Sequence, residues 1–300
     1  MEAELQEVPT QPDRGLSSVV PQVCSQCAAA AGSGPGQTPS SAQPQANWIY
    51  AIGQVAARFP TLAVEKEYAQ LLGREPSNGL TDRQAMYAVF SNAQNRYLAR
   101  QLCWVMTIEG LETYLLYPKD PGDLPLLIET IRPNPSPADL DVVIGKKGAL
   151  ASPAACNGLT VPTVTVDQIY SFDRDALIKS IPRPANLSAE EFAPAAAELF
   201  DRIMFMADNA GSSDEHRALN YLTMRYPAIY ATAADAFARN ASIDSVDVNQ
   251  SPLAGTRNIL EVIFSFRNRT TDVVEKFFTR VDVTEKFPFL VTKMSTYYDR

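Results

Sequence analysis

The chain has 300 residues and a mass of 32.8 kDa, enough for one large domain or two modest ones. Hydrophobic residues make up 46% and charged residues 20%, a balance that supplies a sizeable core and excludes wholesale disorder. With 26 Lys and Arg against 34 Asp and Glu the net charge is −8, which argues against a general affinity for nucleic-acid backbones or for anionic lipid.

No run of about 18 apolar residues occurs, so no membrane-spanning helix is expected. Met1-Glu2-Ala3-Glu4 has neither the basic nor the apolar part of a secretory signal, and the expected location is cytoplasmic. In that compartment the four cysteines, Cys24, Cys27, Cys103 and Cys156, are expected to be reduced rather than paired in a disulfide framework.

Residues 1–46 hold no Phe, Tyr or Trp and are rich in Pro, Gln, Ser and Ala. So little apolar surface does not offset the entropy of ordering, and the segment reads as a flexible tail. The composition changes at Asn47-Trp48-Ile49-Tyr50, and 47–300 reads as globular. Trp48 to Val55 predicts a strand. Thr61 caps a helix over 62–72, with Gly73 just past its end. Thr81 and Gln84 form a capping-box pattern that opens a helix through Phe90, and 95–101 continues helically. Leu102 to Tyr117 is aromatic and β-branched around Glu109-Gly110, a hairpin signal. A short helix over 122–131 stops at Pro133 and Pro135. Strands are expected over Leu140 to Ile144, ended by Gly145, and over Val161 to Tyr170, followed by a helix from Arg174 to Ile181.

The stretch Ile181 to Ala185 reads as a hinge between subdomains 47–182 and 187–300. Ser188 and Glu191 fit a second capping box, opening a helix to Asn209 with Gly211 at C′. Ser213 caps a helix over 214–224, and Pro227 starts another through Arg239. Period-two alternation over 259–267 and 273–283, joined by the polar turn Asn268 to Asp272, predicts antiparallel strands. The fold class is α+β, with helices packed on largely antiparallel sheet.

Chemistry-bearing motifs are sparse. The only histidine is His216, in the first turn of a helix, and no G-x-S-x-G, phosphate loop or zinc-protease motif is present. Glu190-Glu191, Asp214-Glu215, Asp173 and Asp175 fall at helix starts, where they complement the macrodipole. Cys24-Ser25-Gln26-Cys27 is half of a closed zinc site, and Cys103 and Cys156 would complete a four-thiolate set. Against that stands the apolar context Leu102-Cys103-Trp104-Val105, where a buried free cysteine is ordinary.

Long stretches resemble one family, the C-terminal domain of unknown function of cyanobactin maturation proteases of the patellamide type. The resemblance is carried by Trp48 to Gln70, Tyr97 to Pro118, Asp139 to Gly145, Asp167 to Pro184, Ala207 to Tyr230 and Arg267 to Arg300. Free-standing members, with a short CxxC tail, are the most similar. The family's proteolytic and macrocyclising triad belongs to a different domain, so the resemblance implies a pathway for ribosomally made, modified peptides and transfers no catalytic residue. Two functions follow as expectations. The favoured one is a non-catalytic accessory protein that binds precursor peptide or a modifying enzyme, with no nucleic-acid or membrane partner and with a homodimer open. The alternative is an enzyme acting through Cys103, Cys156 or His216. For the first, strands 259–267 and 273–283 and the segment Phe287 to Tyr298 would offer an edge for peptide addition, with Phe287, Phe289, Tyr297 and Tyr298 as anchors or, for the two Phe, as core.

Overall fold

The computed structural model describes residues 47–73, 79–133, 139–183, 188–205 and 208–298. The tail reading for 1–46, with Cys24 and Cys27, falls outside the described residues, as do Pro135 and the end of the 181–185 hinge.

Five strands close into a barrel: β1 (Trp48–Arg58), β2 (Cys103–Ile108), β3 (Leu111–Pro118), β4 (Asp139–Leu150) and β5 (Pro162–Asp173). They run round it in the order β1-β2-β3-β5-β4, all neighbours antiparallel except the β3–β5 pair. Closure follows from β1, whose first half (48–53) pairs with β4 and whose second half (54–58) pairs with β2. This order, with a helix between β3 and β4, is that of an OB-type barrel. The interior is packed with Ile49, Val55, Trp104, Met106, Leu116, Val143 and Val164. Three helices inserted between β1 and β2 cover it: α1 (Leu62–Leu72), α2 (Asp82–Ser91) and the single turn α3 (Arg96–Ala99). The connecting helix α4 (Leu124–Thr130) adds Leu124, Leu127 and Ile128 to the same core.

The Thr61 and Thr81 caps read from the sequence are present, while the Ser188–Glu191 box rests on a side chain outside the described residues. The Thr61 side chain accepts the Val64 N–H. Both bonds of the Thr81–Gln84 capping box form, with Gln84 Oε1 accepting the Thr81 N–H at 2.8 Å. The hairpin turn has φ of 50° at Glu109 and 80° at Gly110, as a two-residue turn matching the strand twist requires. Gly145 does not end its strand. β4 runs on to Leu150 through a bulge there, where a Cβ would lie 2.3 Å from the Thr165 carbonyl oxygen. Glycine is needed for close backbone approach rather than for a stop.

After α5 (Arg174–Ser180) the chain forms α6 (Ala189–Met204), α7 (Asp214–Arg225) and α8 (Ala228–Ala238). A second sheet follows: β6 (Ala241–Gln250), β7 (Ile259–Asn268), β8 (Val274–Asp282) and β9 (Phe289–Thr296), antiparallel in sequence order. Helix α6 ends five residues before Asn209, and Gly211 serves β1 instead of a helix terminus. β6 carries no regular alternation in the sequence because a bulge between Ile243 and Ser245 interrupts its period.

One face of the second sheet, with Leu260, Val262, Phe264 and Phe266 of β7, packs on α6 and α8. The outer face of β1 and β4, with Tyr50, Ile52, Val142 and Ile144, packs against Met204, Tyr221 and Met224 of α6 and α7. The helices therefore form a layer between barrel and sheet, and the described residues from Asn47 onward make one unit. The class is α+β, as the patterns imply. No helix among the described residues is long and apolar enough to cross a membrane.

Candidate functional site

Helix α6 carries its apolar stripe on Phe192, Ala195, Ala196, Leu199, Phe200 and Ile203, all buried. Met204 and Phe205 lie just past that stripe. Phe205 is 74% exposed, a large apolar surface that the core leaves unused. A mostly apolar cavity of about 300 Å³ opens beside it, between the barrel and α6, lined by Ile52, Thr107, Leu140, Phe200, Met204 and Phe205. On the other side of the helix a wider cavity of about 620 Å³ lies against β6, lined by Glu198, Arg202, Ile243, Ser245 and Val246. Asp201 and Phe205 line both, so the two adjoin across the last turn of α6.

Arg174 fixes the polar wall. Its Nε donates to Asp201 Oδ1 at 3.0 Å, its Nη2 to Asp201 Oδ2, and its guanidinium lies 5.8 Å from the centre of the Phe200 ring. Arg202 Nη2 donates to the Asp244 carbonyl at 3.0 Å, at the bulge of edge strand β6. The cleft therefore joins a greasy pocket, one neutralised acid and a sheet edge. Its arrangement suits an extended chain with an apolar side chain.

Behind the cleft, α7 carries buried polar groups that tie the layers. Asn220 Nδ2 donates to the Tyr50 carbonyl at 2.7 Å, and Asn209 Nδ2 donates to Asn220 Oδ1 at 2.9 Å. The Tyr50 N–H donates to the Gly211 carbonyl at 2.9 Å, and the Tyr114 hydroxyl to the Ala210 carbonyl at 2.8 Å. Gly211 and Asn220 thus satisfy the Tyr50 backbone on the side of β1 that β2 leaves unpaired. Gly211 has φ of +69°, and a Cβ there would lie 2.3 Å from the Tyr50 oxygen. Arg217, 2% exposed, donates to Asp214 Oδ1 and to the Val283 carbonyl, both at 2.9 Å, and to the Glu285 carbonyl. Inside the barrel Asp141 accepts the Val55 N–H at 2.7 Å and the Ser171 hydroxyl. Burial pushes its carboxyl up to about 6 despite those bonds and nearby Arg83 and Arg132.

The cysteines and the histidine do not form a reactive set. Cys103 and Cys156 do meet, with Cα atoms 5.9 Å apart, but as a disulfide. Two reduced thiols were expected there, and the pairing differs because the loop after β4 folds back over the start of β2. Bonded sulfurs are neither thiolate nucleophiles nor thiolate ligands. His216 lies in the first turn of α7, where Ser213 Oγ accepts its backbone N–H at 3.1 Å. Burial lowers its pKa against the pull of Glu215 and Asp208, and its buried Nδ1 has no hydrogen-bond partner among the described residues. No hydrogen bond joins His216 to either sulfur among the described residues. Asp173 is a cap, accepting the Ala176 N–H at 2.7 Å. No group of three or more His, Cys, Asp or Glu is arranged to hold a metal among the described residues.

The expected binding strands also shift. β7 and β8 are interior, and among the described residues the edges of the second sheet are β6 and β9, the latter within the expected segment Phe287 to Tyr298. Phe287 and Phe289, expected as anchors or as core, are half exposed, and Tyr298 is 79% exposed. Tyr297 packs edge-on to Phe278 at 5.7 Å. The cleft itself escaped sequence reasoning. Its one signal is the pair Met204-Phe205, apolar residues off the stripe of an otherwise regular amphipathic helix.

Residues 186–297 match the family described as PatG C-terminal. A solved structure, the PatG domain of unknown function, superposes with a TM-score of 0.69 at 20% sequence identity, over 84% of this chain and 99% of its own. The likeness establishes a shared fold. No curated protein matches the chain.

Proposed function

We propose that this chain, which shares its fold with the PatG domain of unknown function and matches the PatG C-terminal family over 186–297, is a cytoplasmic accessory protein. It would bind the precursor peptide of a cyanobactin-type pathway and do no chemistry on it. The observation that supports this most is the continuous cleft around the last turn of α6, where an apolar pocket of about 300 Å³ meets the free edge at β6. A peptide laid along β6 would gain main-chain hydrogen bonds from the edge and place one apolar side chain beside Phe200 and Met204. The net charge of −8 favours a peptide of basic character. It disfavours nucleic acid, and the barrel face that OB-type folds use for such ligands is covered here by the loop between β4 and β5.

The test is a calorimetric titration of the full chain with the pathway's precursor peptide. Met204→Glu, which puts a charge in the pocket, should weaken binding at least tenfold, and Phe205→Ala threefold or more. An affinity that neither substitution alters would remove the cleft from consideration, and no measurable affinity would remove the function. Zinc at Cys24 and Cys27 is a separate proposal. With Cys103 and Cys156 bonded to each other, the ion would need its other ligands elsewhere. Metal content of the parent against Cys27→Ala measures it, and metal-free parent protein rejects it.

A further inference from the structure

Loop 151–161, between β4 and β5, lies over the outer face of β2 and β3. Cys103, Val105 and Leu115 point outward from the barrel, yet they are 4%, 1% and 1% exposed. What buries them is Ala151, Cys156, Leu159 and Val161. In barrels of this topology the β2–β3 face and the flanking loops are the surface that takes extended ligands. Here one turn of chain shuts it.

The attachment of that loop is unusual in kind. Its hydrogen bonds are its own: the Ala155 N–H donates to the Ser152 carbonyl, Gly158 to Pro153, Leu159 to Cys156, and Ala151 to Val161 across the loop mouth, at 2.7 to 2.9 Å. Among the described residues, no backbone hydrogen bond ties 152–160 to β2 or β3. The loop is held by the Cys103–Cys156 bond, by a small apolar contact and by the approach of Cys103 Sγ to the Ala155 carbonyl at 3.6 Å. It is also one chain thick. Ser152 to Ala155, Asn157 and Gly158 are exposed while Cys156 beneath them is 2% exposed, so a brief lift of the loop gives a reductant access to the sulfurs.

We propose that Cys103 and Cys156 form a redox-controlled latch: oxidised, it seals loop 151–161 over the β2–β3 face, and reduced, it lets the loop lift and uncovers an apolar strip centred on Val105 and Leu115. The reductant is a dithiol. One of its thiolates attacks a sulfur of the pair, the Cys103–Cys156 bond breaks and a mixed disulfide forms. The second thiol then displaces the bound cysteine, so the reductant leaves as its own disulfide and both cysteines end protonated. Without the cross-link the loop loses its only covalent hold on β2, and its internal bonds open as it lifts. The apolar contact and the Cys103 thiol donating to the Ala155 carbonyl must then offset the loop's conformational entropy.

The test uses the full chain carrying Cys24→Ser and Cys27→Ser, so that only the latch can react. Alkylation under denaturing conditions should add no group to protein purified without reductant, and two after dithiothreitol. Hydrogen exchange of the Ala155, Gly158 and Leu159 amides should rise fivefold or more on reduction, while the amides of β7 stay unchanged. Fluorescence of a naphthalenesulfonate dye, the probe for the uncovered strip, should rise in parallel. Adding Cys103→Ser and Cys156→Ser should reproduce the reduced behaviour without reductant. Two free thiols in protein never exposed to reductant would overturn the proposal. So would a rise in exchange below fivefold, which would make the bond a staple on a loop already fixed. The parent with and without dithiothreitol decides the matter even if the serine variant folds poorly.

Discussion

The barrel and the C-terminal sheet use the same local chemistry and end in opposite conditions. In the barrel every strand has two neighbours, and Gly211 and Asn220 satisfy the Tyr50 backbone on the half of β1 that β2 leaves open. In the sheet, β6 and β9 are edges among the described residues, with the Leu290 and Met294 N–H groups of β9 donated to the Tyr221 and Tyr226 hydroxyls. A closed barrel has no edge to offer another chain, so it can take a ligand only on a face or in a cleft. An open sheet can take one by strand addition. The two modes meet at the last turn of α6, which explains why the cleft lies there and not within either layer.

That contrast makes the halves unequal but not independent, and the largest perturbation should show it. Gly211→Val combines a strained positive φ with a Cβ against the Tyr50 backbone, and should cost roughly 4 kcal/mol or prevent folding. Both tryptophans, Trp48 and Trp104, lie in barrel strands, so their fluorescence reports the barrel while far-ultraviolet dichroism reports the whole. The two probes should fall together. A barrel signal that moves while the helical signal holds would separate the halves.

A somewhat smaller loss, roughly 3 kcal/mol, is expected for Arg217→Leu, which leaves the Val283 and Glu285 carbonyls and Asp214 without their buried donor. Here the damage should start on the sheet side, with faster hydrogen exchange at 283–286 than in β1. Equal protection at both places would refute the idea that Arg217 anchors the β8–β9 connection.

One pH response belongs to the barrel. Asp141 is raised in the folded state, so the fold holds its proton more tightly than the unfolded chain does. Its contribution to stability is complete below about pH 4 and is lost as pH rises through about 6. From pH 5 to 7 the group should cost about 1 kcal/mol, measured by urea unfolding. Asp141→Asn should flatten that slope. The smallest effect is expected for Thr81→Ala, about 0.5–1 kcal/mol from loss of one capping-box bond on an exposed helix start.

What could be read from the chain follows the reach of the physics involved. Caps and hairpin turns are local. Thr61, Thr81, Ser213 and Glu109-Gly110 announce themselves within four residues, and each forms as expected. The α+β class follows from periodicity. Barrel closure does not, because it depends on β1 sharing itself between β4 and β2, which no window of sequence displays. Gly145 and Gly211 show the same limit. Each looks like a stop signal locally, and each is required by a backbone from a distant part of the chain, Thr165 and Tyr50 respectively. β6 was hidden by a single extra residue that breaks its alternation. The Cys103–Cys156 bond joins residues 53 apart, and reasoning from compartment pointed away from it. The cleft was least legible of all, since it is made of what α6 leaves uncovered.

The bond from Asn220 to the Tyr50 carbonyl spans 170 positions, and this sets an order of events. β1 leaves the ribosome before Gly211 and Asn220 are made, so its exposed flank waits for them. Until the second half has been synthesised the barrel carries a half-zipped strand with its backbone polar groups facing water. The protein must therefore fold as a whole and late, with high contact order and slow kinetics. A ribosome stalled near residue 182 would hold a chain with all five barrel strands and no finished barrel.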